Sequence, residues 1–128
     1  MALEAHRREM KLMGNRFEIT VVGKIADWAN QQIDAAVTEI KRIEDLLSTF
    51  KETSETNLIN RNAGIQPVKV SEETFSLIAR SLRISQITQG AFDISYGSID
   101  KRLWNFDQTM TELPDTATAK RMVRLINY

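Results

Sequence analysis

"MKLMGNRFEITVV", residues Met10 to Val22, decides the class of fold. Phe17, Ile19 and Val21 alternate with Glu18 and Thr20, the period of a strand with one buried face. Met10, Leu12 and the glycine-interrupted "LMGN" just before it read as a second extended segment, with Gly14 marking a bulge or a close backbone approach. Residues 1–9 read as a flexible N-terminal segment. The chain's single histidine, His6, lies there in the charged run "EAHRREM" and is read as incidental.

Downstream the period changes to that of helices. From about Ile25 to Leu47, Ile33, Val37, Ile40, Ile43 and Leu47 recur at spacings of three and four and share one face. Asp34, Glu39, Lys41, Arg42 and Glu44 take the other. "STFKETSETN" then reads as an exposed connection. "TNLINRNAG" contains a short helical turn ending near Gly64. "IQPVKVS" reads as a brief extended piece that Pro67 keeps away from the centre of a sheet. Ser71 is a good N-cap, and Glu72 and Glu73 suit the positive end of a helix. Phe75, Ile78, Ala79 and Leu82 form the predicted buried stripe of that helix, and Gly90 ends it. Large apolar groups follow at Ile99, Leu103, Trp104 and Phe106. A last helix is capped near Asp115, with Ala119, Met122, Val123 and Ile126 as its face.

No internal repeat, low-complexity tract or linker interrupts this order. Three apolar helix faces and about three short strands make a lopsided set, because so few strands cover that much apolar helix poorly. The chain is expected to be either tightly helical or a piece of something larger. The predicted class is α+β, with helices packed on a small, incomplete antiparallel sheet.

Composition narrows the function. The chain has 128 residues, enough for one core, and is 42% hydrophobic and 27% charged, ordinary values for a globular domain. Lys plus Arg and Asp plus Glu both number 17, so the basic excess of a nucleic-acid grip is missing. The absence of cysteine excludes disulfides, thiolate metal sites and a cysteine nucleophile. No apolar run has the length of a membrane span, and no signal-peptide pattern is visible. The chain is expected to be cytosolic, or to begin after a targeting segment. GxxxxGK[ST], GxGxxG and HExxH do not occur. Carboxylates, hydroxyls, aromatics and backbone groups remain to carry chemistry.

Two corners combine an aromatic with polar neighbours. "STF", Ser48 to Phe50, reads on its own as a helix exit with an aromatic tucked into the core. "GAFD", Gly90 to Asp93, reads as a helix C-cap followed by a core Phe and a turn-forming Asp. Both, however, lie in irregular segments beside helix ends, where sites tend to be built.

Four stretches, in order, carry a family resemblance: "LMGNRFEITV", "IEDLLSTFKETSETNLINRN", "VSEETFSLIARSLRISQITQGAFDIS" and "LWNF". The run of "LSTF", Ser54, Asn60, "GAFD", Trp104 and Phe106 is its specific part. From Met10 onward the chain resembles the N-terminal portion of the ApbE family, FAD:protein FMN transferases formerly described as thiamine-biosynthesis lipoproteins.

The resemblance implies binding of FAD and Mg2+, and transfer of the FMN half to a Thr or Ser hydroxyl of a target flavoprotein with release of AMP. The family's flavin-contacting methionine falls on Met13, the aromatic after "LST" on Phe50, and its "AFD" triplet on Ala91, Phe92 and Asp93. The loops bearing Phe50 and Ala91–Asp93 are expected to converge on one dinucleotide cleft. Family members often have Pro and Thr where this chain has Ile94 and Ser95, and a common proline is replaced near Ser98. They are also considerably longer, with a Gly-rich motif and an Asp/Thr cluster for Mg2+ in the later portion. Residues 10–128 are therefore expected to be the N-terminal portion of a transferase domain, inactive alone, and able to pair with itself or with the C-terminal portion. The alternative is a module that binds FAD or another nucleotide without transferring it; a third reading makes the aromatics simply core. The expected location of the full-length protein is periplasmic or anchored to the inner membrane as a lipoprotein, with a cytoplasmic form as the alternative.

Overall fold

A computed structural model describes residues 2–103 and 111–128; Trp104 and Phe106 lie outside the described residues. The chain divides into two compact units, Met1–Val70 and Ser71–Tyr128.

The first unit is built on a hairpin. Strand β1, Glu4–Leu12, pairs antiparallel with β2, Asn15–Gly23, from Glu4 opposite Gly23 to Leu12 opposite Asn15. Only Met13 and Gly14 connect them, with φ of 51° and 72°. Left-handed backbone at both central residues is the type I′ turn, whose twist matches that of the strands it joins. A Cβ on Gly14 would meet nothing within 4 Å. Gly14 therefore marks neither a bulge nor a close approach; it is there for its backbone conformation.

β1 starts inside the segment expected to be flexible. Its alternation is real: His6, Arg8 and Met10 are half-buried, Leu12 is buried, and the residues between them are exposed. The pattern is hard to see because two of the inward positions are a histidine and an arginine. His6 Nε2 lies 3.4 Å from the Gly23 carbonyl oxygen. Arg8 pairs with Asp34 and donates to Asn30 Oδ1 at 3.1 Å. Both partners of Arg8 belong to helix α1, Ala26–Leu47, which lies across the hairpin.

α1 has the face its spacing predicts. Ala29 and Ile33 are fully buried, and Val37, Ile40, Ile43 and Leu47 are half-buried. The hairpin approaches the start of the helix closely, since a Cβ on Gly23 would stand 2.8 Å from Trp28 Cζ3. Helix α2, Glu55–Asn62, follows a short connection. That connection is not exposed throughout: Ser54 is 0% accessible, and its Oγ accepts the Asn57 N–H at 3.1 Å. Gly64 follows α2 with φ of 75°, as a left-handed exit requires. The extended piece around Pro67 is not a strand.

The second unit opens with helix α3, Glu72–Ile87, where Ser71 Oγ accepts the Thr74 N–H. Its predicted apolar stripe is corrected. Phe75, Ala79 and Leu82 are exposed, Phe75 by 63%, and only Ile78 is half-buried. The shielded line runs instead through Thr74, Ile78, Ser81 and Ser85. Two properties explain the difference. α3 is apolar on more than one side, since Leu77 and Ile84 lie away from Phe75 and Leu82, so periodicity does not select a face. Moreover Ser81 Oγ donates to the Leu77 carbonyl at 2.8 Å and Ser85 Oγ to the Ser81 carbonyl at 3.1 Å; hydroxyls satisfied within their own helix can be buried.

A short 3-10 helix, Ile94–Ser98, comes next, and helix α4, Thr116–Val123, closes the unit. Asp115 caps α4 as expected: Oδ1 accepts the N–H groups of Ala117 and Thr118 at 3.0 Å, and Oδ2 accepts the Thr118 hydroxyl at 2.7 Å. The Thr118 hydroxyl, then the backbone N–H groups, hold its carboxyl below the usual carboxylate range. Ala119 and Met122 are half-buried, Val123 is exposed, and Ile126 falls beyond the helix.

The Gly23–Trp28 approach is testable. Gly23→Ala is expected to destabilise the first unit by about 1–3 kcal/mol through overpacking. Urea unfolding followed by far-UV circular dichroism measures it, and Gly23→Ala on a Trp28→Leu background is expected to recover most of the loss.

Candidate functional site

Among the described residues, two non-glycine residues have positive φ: Met13 and Gln89. Each belongs to one of the stretches that the sequence marks, and each needs a physical account.

Met13 occupies the first central position of the hairpin turn, where Asn or Asp is the usual choice. A left-handed conformation costs a residue with a Cβ about 1–2 kcal/mol. The side chain gains little burial in return, being 48% exposed. An open hollow of about 410 Å³ lies beside the turn, lined by Glu9, Met10, Lys11, Gly14, Asn15 and Arg16.

Phe50 belongs to the same unit, between α1 and α2. The sequence reading that tucks it into the core is wrong, because Phe50 is 94% exposed. The loop beneath it is nonetheless well braced. The Phe50 N–H donates to Ser48 Oγ at 3.2 Å. Asn57 Nδ2 donates to the carbonyls of Thr49 and Lys51, each at 2.8 Å. Lys51 pairs with Asp45, and Arg61 donates to the Glu52 carbonyl at 2.6 Å. Asn57 shapes this loop, and sequence reasoning missed it. Its only signal is its place three residues after the capping Ser54, where a longer Glu or Gln would close a capping box.

Ala91, Phe92 and Asp93 belong to the second unit, in the corner after α3. The helix does not end on Gly90 as read. Ile87 is the last helical residue and Thr88 the C-cap. Gln89, with φ of 53°, takes the left-handed position that glycine usually fills, and Gly90, with φ of 83°, extends it. The Gly90 N–H donates to the Ser85 carbonyl at 2.9 Å and the Gln89 N–H to the Gln86 carbonyl at 3.2 Å, the paired bonds of a Schellman motif.

The Thr88 side chain then organises the corner. Its Oγ1 donates to the Ile84 carbonyl at 2.9 Å and accepts the Phe92 N–H at 3.1 Å. Phe92 is 42% exposed, so it too is not a core plug. Asp93 caps the 3-10 helix: its Oδ1 accepts the Ser95 N–H at 2.8 Å and the Ser95 hydroxyl at 2.7 Å. Farther on, Arg102 binds Asp100 through its side chain and its backbone N–H and holds that carboxyl at about 2. Any stabilisation from this pair is present above the ordinary Asp pKa and lost as the pH falls through about 2, and it is small because the pair is exposed.

These loops can offer an exposed ring face, a thioether, a carboxylate and a backbone corner without bulk at Ala91. Among the described residues no group of three or more acidic or histidine side chains could hold a metal ion.

Residues 13–128 match the ApbE family. The chain belongs to the ApbE family. An FAD:protein FMN transferase of Salmonella typhimurium is 32% identical over 111 residues, covering 85% of this chain and 31% of that protein. The enzyme of the same name from Escherichia coli K12 is 30% identical over 115 residues, covering 88% and 32%. That of Vibrio cholerae is 30% identical over 100 residues, covering 73% and 28%. This chain thus spans about a third of the length of the curated ApbE relatives it matches. The structure of a flavin transferase ApbE from Vibrio cholerae superposes with a TM-score of 0.76 at 20% identity, over 98% of this chain and 41% of that one. The α+β class expected from sequence is therefore the ApbE fold, present here in part.

The turn separates stability from function. Met13→Asn is expected to stabilise the first unit by about 0.5–1 kcal/mol, because Asn-Gly suits a type I′ turn better. Gly14→Ala is expected to destabilise it by about 1–2 kcal/mol. Thermal unfolding of both variants checks the pair; a stabilising Gly14→Ala would contradict the left-handed turn.

Proposed function

We propose that this chain supplies part of the FAD-binding surface of an FAD:protein FMN transferase, with Met13, Phe50, Ala91, Phe92 and Asp93 contacting the dinucleotide. The exposure of Phe50 carries this reading. Burying a phenylalanine stabilises a fold by about 1.5–3 kcal/mol, yet this ring is 94% exposed on a loop braced from below by Asn57. A presented ring face suits stacking on a flavin or adenine. Family membership and the names of its relatives support FAD as the ligand.

In the whole protein, a Thr or Ser hydroxyl of the acceptor flavoprotein attacks the FMN-side phosphorus of FAD. The pyrophosphate P–O bond breaks, a phosphoester to FMN forms, the hydroxyl proton leaves, and AMP departs. Mg2+ would neutralise charge on the phosphate oxygens, and its ligands are assigned to the portion of the family fold outside this chain. The isolated chain is proposed to hold FAD without transferring it. Apolar side chains on several sides of α3, including Phe75, Leu77, Leu82 and Ile87, suit a helix covered by further protein, either the C-terminal portion or a second copy. Export or lipid anchoring of the full-length protein remains a proposal from family resemblance; among the described residues no helix is long and apolar enough to cross a membrane.

Phe50→Ala is expected to weaken FAD binding by about 5- to 150-fold, the equivalent of 1–3 kcal/mol of stacking, while shifting stability by less than about 0.5 kcal/mol. Flavin-fluorescence titration and thermal unfolding read the two effects. Equal binding by wild type, Phe50→Ala and Asp93→Ala would remove the assignment. With FAD, Mg2+ and a hydroxyl-bearing peptide, this chain is expected to release no AMP by liquid chromatography; release would show that the chain is sufficient for transfer.

A further inference from the structure

We propose that Ser95 is a positioning residue for Asp93, and that the backbone N–H of Asn127 sets the direction of its hydroxyl. The proposal rests on the reading of Asp93 as an FAD contact. Ser95 gives both of its donors to one oxygen: its N–H at 2.8 Å and its Oγ at 2.7 Å both donate to Asp93 Oδ1. The other carboxylate oxygen, Oδ2, accepts no hydrogen bond among the described residues, which leaves it for a ligand. Two donors on one oxygen fix the rotation of the carboxylate as well as its place.

A hydroxyl carries one hydrogen and rotates freely unless its surroundings choose a direction. Here they do. The Asn127 N–H donates to Ser95 Oγ at 2.8 Å. A backbone N–H can only donate, so Ser95 Oγ must accept there and turn its own hydrogen to Asp93. The result is a one-way chain from Asn127 N–H through the Ser95 hydroxyl to the Asp93 carboxylate. It joins two segments 32 residues apart in sequence. Tyr128 reinforces it: its Cε1 lies 3.5 Å from where a Cβ on Gly90 would stand. Asn127 and Tyr128 therefore lie against the segment that follows α3.

Flavin-fluorescence titration of Ser95→Ala is expected to show about 3- to 10-fold weaker FAD binding, because only part of the hydrogen bond lost at Asp93 is passed on to the ligand. Ser95→Thr is expected to restore binding to within about twofold of wild type. A double-mutant cycle isolates the positioning role: on an Asp93→Ala background, Ser95→Ala is expected to add nothing. Asn127→Pro removes the strap's donor outside α4 and is expected to weaken binding by about 2- to 5-fold. Additive losses in the cycle, or wild-type binding by both Ser95→Ala and Asn127→Pro, overturn the proposal. If Asp93→Ala loses affinity and the other variants do not, the positioning role falls and the flavin reading stands. If the unmodified chain gives no FAD signal, both fall.

Discussion

The two-residue turn at Met13 and Gly14 constrains everything that follows it in the first unit. In a hairpin the turn sets the register, and a slip of one residue would turn one strand's inward side chains to the opposite face from its partner's. With Leu12 opposite Asn15, the inward set becomes His6, Arg8, Met10 and Leu12 on β1, with Phe17, Ile19, Val21 and Gly23 on β2. Only that set lets α1 settle with Ala29 and Ile33 buried, with Arg8 reaching Asp34 and Asn30, and with Trp28 against a glycine. The same turn holds Met13 in a left-handed conformation that a methionine does not favour. Strain of this kind persists where the surroundings over-determine it, and it clusters at functional loops. Here the strands on either side provide the over-determination.

The proposed site loops share one construction. In each, short polar side chains bond to backbone or to one another and hold the loop, while the aromatic is left outside. Asn57 holds two carbonyls under Phe50. Thr88 ties the end of α3 to the Phe92 N–H. Ser95 and Asn127 orient Asp93. Loops braced in this way pre-organise a binding surface, so that less ordering entropy is lost when a ligand arrives. It also explains why rings that look like core residues in the sequence are not core. The scaffold under each loop is made of polar side chains and backbone groups, so neither needs its aromatic for stability.

Some of this was legible before the structure. The α1 face, the Ser71 and Asp115 caps, the short helical turn ending near Gly64 and the α+β class all follow from local rules, because period, capping chemistry and backbone preference act over a few residues. The misreadings have specific causes. β1 was hidden by His6 and Arg8 at inward positions. α3 carries apolar residues on several sides, so its period could not choose between Phe75 and Ser85. Gly90 looked like the C-cap glycine, but the helix ended earlier and Gln89 took the left-handed place. Phe50 looked like a core residue because hydrophobicity says what a side chain prefers, not whether a neighbour exists to cover it.

The sequence by itself determined the family, the class of fold and most helix boundaries, since each is written in short motifs and periodicities. Only the tertiary structure decided which side of α3 is shielded, that Phe50 and Phe92 stand in the open, and that Asn127 reaches back across the chain to Ser95. Those outcomes depend on which distant segments meet. A hydrogen bond between residues far apart in sequence leaves no local pattern from which to read it.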